Sequence, residues 1–266
     1  MSAALRSRPA RATLWRGLDD VPPDLGPTVL TIGVFDGLHR GHRSLIGRAR
    51  RIADERGLPL VMVTFDPHPA RVLGLPKDTS TLSTITHRAE LAAAAGVDAV
   101  CVLRFTRELA GLSPDAFAAH CLAGRLGARA VVVGANFTFG ARAAGDVDAL
   151  RELGASLGFS VEGVPLLPAN NGACSSTHTR NCLRSGDLPG ATRALGRPHR
   201  VDGIRAGDRV LLAPNTALPP PGRYRATLNG GAALVDVLDD SLRVADGASG
   251  EGAAAVTFLE RAEGGS

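Results

Sequence analysis

The segment Gly33-Val34-Phe35-Asp36-Gly37-Leu38-His39-Arg40-Gly41-His42 joins two patterns of different period. Residues 28–34, the last two of which open this segment, form a continuous apolar and β-branched run, which predicts a short buried strand. After it, apolar residues recur at helical spacing from Leu45 to Ile52, and Gly57 follows the pattern. The sequence therefore predicts a strand, a glycine turn and a helix over residues 41–56.

Strand and helix patterns continue to alternate along the chain as far as residue 166. The predicted strands cover residues 28–34, 60–65, 99–105, 130–133 and 159–166, and the predicted helices cover residues 41–56, 88–95, 114–126 and 147–157. Residues 1–27 are rich in Arg, Pro and Asp and are expected to be irregular. Short connections between alternating elements predict an α/β fold with an open parallel sheet and helices on both faces.

The composition changes near Pro198, after which Gly, Pro and Ala dominate. Short β-like runs follow at residues 210–212, 224–228, 233–237 and 254–259. We therefore expect two domains, an α/β domain over residues 1–198 and a small all-β domain over residues 199–266.

Composition excludes several classes of protein. The chain is 44% hydrophobic and 21% charged, and its apolar runs are too short for a membrane span. The net charge is only +4 and aromatic residues are few, so nucleic acid is not an expected partner. The four cysteines have no metal-ligand spacing, which favours free thiols without zinc. No secretory pattern opens the chain, and the cytoplasm is the expected location.

The predicted turn and helix start carry the side chains best suited to chemistry. Glycine allows the backbone to approach a phosphate closely, and a helix N-terminus presents free N–H groups to an anion. His39 and His42 are three residues apart, so both imidazoles can face one side of the first turn. Such a pair can bind nucleotide phosphates and stabilise charge at the α-phosphorus, although two surface histidines on a turn would show the same spacing.

At this point the sequence resembles a known family. GVFDGLHRGH and the later Thr64-Phe65-Asp66-Pro67-His68-Pro69 are similar to the flavin adenylyltransferase module of bacterial bifunctional riboflavin kinase/FAD synthetases. The match continues in order through residues 105–109, 112–114, 131–140, 144–146 and 175–177. It extends from about residue 28 to residue 198 and implies a Rossmann-like nucleotidyltransferase domain.

The resemblance implies a role for each matched position. His39, His42 and Arg180 would be catalytic, and Arg180 would act with the hydroxyls at a helix N-terminus on phosphate. The nucleotide-binding residues would be Gly33, Phe35, Asp36, Gly37, Gly41, Ser175, Ser176 and Thr177. The flavin-binding residues would be Asp66, Pro67, His68, Pro69, Asn136 and Phe137. Asp36 and Asp66 are candidate Mg²⁺ ligands, and each could equally cap a turn.

Two regions depart from the family pattern. Around the third motif, Ala173, Cys174, Thr179 and Asn181 replace the residue types usual in the family. In the C-terminal part, Leu212-Ala213-Pro214-Asn215-Thr216-Ala217 stands where relatives carry a GFPTAN-like kinase motif, and no glutamate occurs between Glu162 and Glu251. We therefore expect residues 199–266 to be an eroded kinase barrel without kinase activity.

The resemblance implies an FMN adenylyltransferase with ATP and FMN as substrates and Mg²⁺ as cofactor. Two alternatives stay open on the sequence. One is a nucleotidyltransferase that uses a different phosphorylated acceptor or nucleotide, which the altered 173–181 segment would fit. The other is a protein that binds flavin or nucleotide without catalysis, against which the matched His39, His42 and Arg180 speak.

Overall fold

The computed structural model describes residues 11–165, 174–245 and 249–262. The described residues form two compact units. The first unit consists of the described residues within 1–35, 41–77 and 89–166. The second unit consists of the described residues within 36–40, 78–88 and 167–266. The predicted boundary between domains at residue 198 stays a prediction. Ala173, Leu166 and the first ten residues lie outside the described residues.

The first unit is built on a six-stranded parallel sheet with the strand order β1-β4-β3-β2-β5-β6. Its strands are β1 (Thr13–Trp15), β2 (Thr28–Ile32), β3 (Leu60–Asp66), β4 (Ala99–Arg104), β5 (Ala128–Gly134) and β6 (Ser160–Val164). All five residues of β2 are buried. Strands covered on both faces read as continuous apolar runs, and this is why the sequence revealed β2 to β5.

The helices of the α/β region follow the predicted periods. They are α1 (Arg40–Arg56), α2 (Pro69–Val72), α3 (Ile85–Ala94), α4 (Arg107–Ala110), α5 (Pro114–Ala116) with a π-helix over Phe117–Arg125, a 3₁₀ turn (Ala141–Ala143) and α6 (Val147–Leu157). Helix α1 buries one stripe that includes Leu45, Ile46 and Ile52, and Gly57 ends it with a φ of +64°. The expected open α/β sheet is confirmed.

Two local expectations were wrong, and a third was right about the helix but did not give its type. Residues 13–15 are not irregular: they form edge strand β1, which pairs with β4 and buries Trp15 in the core. A three-residue strand has no period to read, and its partner is distant in sequence. Helix α3 begins at Ile85 rather than Arg88, because the Thr84 hydroxyl accepts a hydrogen bond from the His87 amide, at 3.2 Å. The segment 114–126 is helical as expected but mostly of the π type.

The second unit contains two helices followed by a closed barrel. The helices are α7 (Ser176–Arg184) and α8 (Leu188–Leu195). Helix α8 was not predicted, because Pro189 and Gly190 read as helix breakers. Proline is tolerated in the first turn of a helix, and the Asp187 side chain caps this one by accepting from the Gly190 amide, at 2.8 Å.

The barrel consists of six antiparallel strands in the order β10-β11-β8-β7-β12-β9. Its strands are β7 (Arg200–Gly207), β8 (Arg209–Leu212), β9 (Gly222–Leu228), β10 (Gly231–Val237), β11 (Ser241–Val244) and β12 (Gly250–Arg261). The rings of Tyr224 and Phe258 meet edge to face at 5.6 Å in its core. The expected C-terminal β domain is confirmed, and its barrel is closed although the sequence suggested only four of the six strands.

Buried histidines make the stability of the second unit sensitive to acid, and two of them are His87 and His199. Burial lowers the pKa of His199 to about 4, and burial together with Arg200 lowers the pKa of His87 to about 4. The nearby Asp202 acts in the opposite direction on His87, and the carbonyl of Ala217 does so on His199. Both side chains are therefore neutral in the folded protein at pH 7.

We predict that the free energy of unfolding falls as the pH falls from about 6.5 to 4. In that window the unfolded chain binds protons that the folded chain excludes, so each histidine contributes a loss on the order of 1 kcal/mol per pH unit. Denaturant unfolding at pH 7, 6 and 5 measures this slope. The double variant His87→Gln/His199→Gln should show a flatter slope, and equal slopes in the two proteins would contradict the assignment.

Candidate active site

Asp36 lies in the turn after β2 and is the centre of a buried polar cluster in the second unit. Its side chain is 3% exposed. One carboxylate oxygen accepts from Arg180 Nη2 at 2.6 Å, and the other accepts from Arg88 Nη2 at 3.3 Å. The amides of Leu82 and Ser83 donate at 3.0 Å each, and the Ser83 hydroxyl donates at 3.1 Å. A buried carboxylate requires this density of donors.

The contacts of Asp36 bear on the metal-binding role predicted for it from the sequence. Both of its oxygens already accept hydrogen bonds from protein groups, so in this arrangement neither is directed at a metal ion. Among the described residues there is also no group of three or more His, Cys, Asp or Glu side chains suited to a metal. The Asp36 carboxylate thus holds neighbouring segments of the chain together, and its metal-binding role stays a prediction.

The backbone of the turn before His39 is held at four points. The Asp36 carbonyl accepts from the Ser176 hydroxyl at 3.0 Å, and the Gly37 amide donates to Ser83 Oγ at 2.9 Å. Arg197 donates to the Gly37 carbonyl at 2.7 Å and to the Leu38 carbonyl at 3.3 Å. These contacts, all within the second unit, fix the position from which His39 projects.

The turn has an unusual backbone conformation. Phe35, Gly37 and Leu38 have φ values of 52°, 76° and 36°. Two of these residues carry side chains that disfavour this left-handed region, so the turn stores strain that the surrounding contacts must offset. At Gly37 a Cβ atom would also lie 3.0 Å from the Leu82 Cβ. Glycine is therefore required there both by conformation and by space.

His39 is neutral in this environment. It is 6% exposed, and burial lowers its pKa to about 4. Asp36 acts to raise that pKa, while Arg180 and Arg197 act to lower it. A neutral imidazole at pH 7 offers a phosphate one N–H donor and leaves the fixed positive charge to the arginines.

His42 is the third residue of α1 and belongs to the first unit. Its ring meets the buried Phe35 ring edge on, with 5.1 Å between centroids. Gly41 precedes it in the same helical turn, one residue after the helix start at Arg40. His42 therefore lies in the first turn of a helix, as predicted.

The segment predicted to bind phosphate opens helix α7. Ser175 caps the helix, since its hydroxyl accepts from the His178 amide at 3.1 Å. Ser176 is fastened to the Asp36 carbonyl, and Thr177 is exposed. Arg180 is 2% exposed and donates through Nε to the Ser80 carbonyl at 2.6 Å. The side chain with the predicted phosphate-binding role is therefore fixed and buried rather than solvated.

Residues expected to bind the nucleotide or the flavin lie at the ends of neighbouring strands of the first unit. Gly33 follows β2, Asp66 ends β3, and Asn136 and Phe137 follow β5. These strands are parallel neighbours, so their carboxyl ends share one edge of the sheet. Asp66 and Asn136 are exposed there.

Local contacts shape the loops at this edge. Asp66 and Pro67 are joined by a cis peptide bond. His68 caps α2 by accepting from the Ala70 amide at 3.1 Å, and Pro69 is the first residue of that helix. The Phe137 ring stacks on Phe139, with 5.7 Å between centroids. The aromatic ring at position 137 is thus held in place beside Asn136.

Sequence reasoning missed three residues that the structure places around the turn: Ser83, Arg88 and Arg197. Each lies outside the matched motifs and reaches Asp36, Gly37 or Leu38 through tertiary contacts. A weak signal existed for the first two. Ser83-Thr84 reads as a helix cap, and a helix starting there would have placed Arg88 in its first turn.

An α/β domain with a parallel sheet and a His-x-Gly-His segment at the start of a helix defines the nucleotidyltransferase class. Comparison with known proteins narrows this class. The model of the FAD synthetase family matches residues 21–178. The bifunctional riboflavin kinase/FMN adenylyltransferase of Pseudomonas fluorescens is 38% identical over 82% of this chain and 70% of its own length. The protein of the same name from Listeria monocytogenes is 36% identical over 68% of this chain and 58% of its own length.

This chain belongs to the FAD synthetase family, and the resemblance read from the sequence is confirmed. A solved structure described as a macrolide-efflux protein from Streptococcus pneumoniae has a TM-score of 0.80 over 96% of this chain and 92% of its own length. At 21% identity that likeness shows the fold alone. Among the described helices, none is long and apolar enough to cross a membrane.

We predict that Gly37→Ala destabilises the protein and impairs the site. The left-handed conformation costs about 1 kcal/mol for alanine, and crowding against Leu82 adds to it, so the total loss should be about 2 kcal/mol. Gly57→Ala is the matched control, because Gly57 has a φ of +64° with nothing within 4 Å of the added Cβ. Denaturant unfolding should separate the two variants, and equal losses would contradict the crowding at Gly37.

Proposed function

We propose that this protein transfers AMP from ATP to FMN, giving FAD and pyrophosphate. The observation that carries the proposal is the fixed turn over residues 36–39, whose backbone is held by Ser83, Ser176 and Arg197. Membership of the FAD synthetase family supports the identity of the two substrates. The relatives named above have FMN adenylyltransferase activity as part of a bifunctional protein.

The chemistry needs no covalent intermediate. A phosphate oxygen of FMN attacks the α-phosphorus of ATP, the bond to the β-phosphate oxygen breaks, and pyrophosphate leaves. A phosphate dianion is already nucleophilic at pH 7, so no general base is required. Positioning of the two substrates and stabilisation of charge on the transferring group supply the rate.

In this proposal His39, His42 and Arg180 bind the phosphates of ATP. His39 would act as a neutral hydrogen-bond donor, since its pKa is about 4. Arg180 would supply positive charge without a conformational search, because Asp36 and the Ser80 carbonyl already hold it. Gly33, Phe35, Gly37 and Gly41 would shape the backbone around the nucleotide, together with Ser175, Ser176 and Thr177 at the start of α7.

The flavin side of the proposal rests on the carboxyl edge of the sheet. Asn136 and Phe137 would contact FMN from the loop after β5, and residues 66–69 would contact it from the loop after β3. Both loops are constrained, the first by the stacked Phe137 and Phe139 rings and the second by the His68 cap. Constrained loops orient an acceptor at low entropic cost.

Magnesium would enter with ATP. Mg²⁺ is commonly held by one or two carboxylates plus the phosphates of a substrate, and Asp66 is an exposed carboxylate that fits this mode. When bound, the ion neutralises part of the phosphate charge. Asp36 does not fit it, because its oxygens are occupied by protein donors.

We further propose that the protein lacks riboflavin kinase activity. In the stretch that replaces the kinase motif, Asn215 donates to the Thr79 carbonyl at 3.0 Å and Thr216 donates to the Ala213 carbonyl at 2.7 Å. Thr216 thus holds its own loop, and Asn215 joins that loop to the segment at Thr79. Between Glu162 and Glu251 the chain also has no glutamate to act as a base.

A second candidate is transfer to a phosphorylated acceptor other than FMN. It is favoured by the altered segment at the start of α7, where Thr179 is fully buried and donates to the Ser175 carbonyl at 3.0 Å. Cys174 and Asn181 flank this segment and differ from the family pattern. The substitutions leave Ser176 and Arg180 in place, so nucleotide binding would be retained while the acceptor changes.

The proposal predicts that the purified protein with Mg²⁺, ATP and FMN forms FAD and pyrophosphate in equal amounts, as measured by chromatography and a coupled pyrophosphate assay. Riboflavin with ATP should yield no FMN. Consumption of another phosphorylated acceptor without FAD would favour the second candidate. Binding of FMN and ATP without turnover would contradict both, and FMN formed from riboflavin would contradict the loss of kinase activity.

We predict that His42→Ala lowers the turnover number about 100-fold or more, since loss of one donor to a developing anion typically has that effect. The change should leave the free energy of unfolding nearly unchanged, because His42 is only half-buried. His120→Ala is the matched control, as His120 is an exposed histidine of the same unit. Equal activity of the two variants would remove the assigned role from His42.

A further inference from the structure

Arg180 is held through two of its three guanidinium nitrogens. Nε donates to the Ser80 carbonyl and Nη2 to the Asp36 carboxylate, each at 2.6 Å. The guanidinium is planar and rigid, so these two bonds fix the direction of the third nitrogen. Nη1 is buried, and within the described residues no acceptor meets it. A buried donor left without an acceptor is costly, and a bound phosphate oxygen would satisfy it.

We infer that Asp36 is a positioning residue, whose carboxylate orients Arg180 so that Nη1 is presented to a phosphate oxygen of ATP. This inference rests on the proposed use of ATP and adds to it a residue that need not touch the nucleotide. Asp36 would act through Arg180 and through the turn that carries His39.

Two buried arginines share the Asp36 carboxylate. Asp36 carries one negative charge, whereas Arg88 and Arg180, both within reach of it, carry two positive charges. All three side chains are at most 5% exposed. Replacement of Asp36 would therefore remove a buried anionic partner from both arginines at once.

Only a carboxylate meets the demands of the site. The side chain of Asp36 accepts from two amides, one hydroxyl and two guanidinium groups. An asparagine of the same shape would lose one acceptor oxygen and would direct an NH₂ group at donors. The Arg180 guanidinium would then lose its bond to the carboxylate, and only the bond to the Ser80 carbonyl would hold its direction.

The main chain of the same residue joins the turn to helix α7. The Asp36 carbonyl accepts from Ser176, and the Asp36 side chain accepts from Arg180. Ser176 and Arg180 are four residues apart and therefore lie on one face of α7. Residue 36 thus holds two neighbouring points of that face, and one of them is the phosphate-binding arginine of the proposal.

The test compares Arg88→Gln with the double variant Asp36→Asn/Arg88→Gln. The double variant removes one charge of each sign, so the cluster keeps the net charge of the native protein and folding is protected. We expect the double variant to bind a non-hydrolysable ATP analogue about tenfold more weakly than Arg88→Gln, and to turn over about 100-fold more slowly. The KM for FMN should change less than twofold.

A double-mutant cycle shows whether Asp36 acts through Arg180. The single changes Asp36→Asn and Arg180→Gln should each weaken binding of the analogue, and Asp36→Asn/Arg180→Gln should be no weaker than the worse single variant by more than about threefold. Fully additive losses would overturn the inference. So would unchanged binding of the analogue in Asp36→Asn/Arg88→Gln.

Asp236→Asn is the matched control. Asp236 is a barrel carboxylate in the same unit, is 9% exposed, and accepts from Arg223 at 2.8 Å and from Arg243 at 2.8 Å. Its replacement should lower stability but leave the analogue's dissociation constant within twofold. A loss equal to that of the Asp36 variants would show a general effect of breaking an ion pair and would overturn the inference.

A failure of the proposed function would give different results from a failure of the inference about Asp36. If the native protein forms no FAD but binds the ATP analogue, the acceptor assignment fails, and the effect of Asp36→Asn/Arg88→Gln on binding still decides the inference. If FAD forms at the native rate in that variant, the inference fails and the proposed function stands.

Discussion

The second unit depends on the hydrogen bonds of one buried carboxylate. Asp36 is 3% exposed, and its charge is compatible with burial only while fixed donors surround it. Those donors come from the loop over residues 80–83, from the start of α3 and from α7. Segments distant in sequence are therefore held at one point, and displacement of any one of them leaves a buried charge poorly solvated. The free-energy cost of such a displacement keeps the strained turn before His39 in one conformation.

The same cluster determines the electrostatics available for catalysis. Arg180 and Arg197 surround His39 with positive charge, and burial keeps its imidazole neutral. Positive charge is therefore delivered by arginines, which stay protonated at every physiological pH, and the histidine contributes directional hydrogen bonding. For a reaction whose rate comes from positioning and charge stabilisation, fixed dipoles and charges are more effective than groups that must reorganise during the reaction.

The elements that the sequence predicted well are those with a local physical cause. Strand β2 is buried throughout and consists of apolar or β-branched residues, and α6 has the predicted bounds because Asp146 caps it and Gly158 ends it. Strand β1 has three residues, and its formation depends on pairing with the distant β4, so no local pattern marks it.

The site shows the same division between local and tertiary causes. The histidines and the α7 cap follow from motifs of adjacent residues, whereas Ser83, Arg88 and Arg197 reach the turn from 46 to 160 positions away in the chain. Asp36 was identified as important, but its role depends on which donors surround it. An aspartate in a glycine turn is equally suited to a metal, a cap or a buried ion pair, and only the three-dimensional donors distinguish these possibilities.

The barrel illustrates why a preserved fold is weak evidence for a preserved reaction. Its closure depends on β12, which pairs with both β7 and β9, and on a core that includes Tyr224 and Phe258. The loop over residues 213–217 follows β8 and contributes no pair to the ladders that close the barrel. Its residues other than the buried Ala217 can therefore change without opening the barrel, because stability resides in the ladders and the core. A kinase motif in that loop could be lost while the architecture stays intact, so the activity of this unit has to be judged from its side chains and not from its fold.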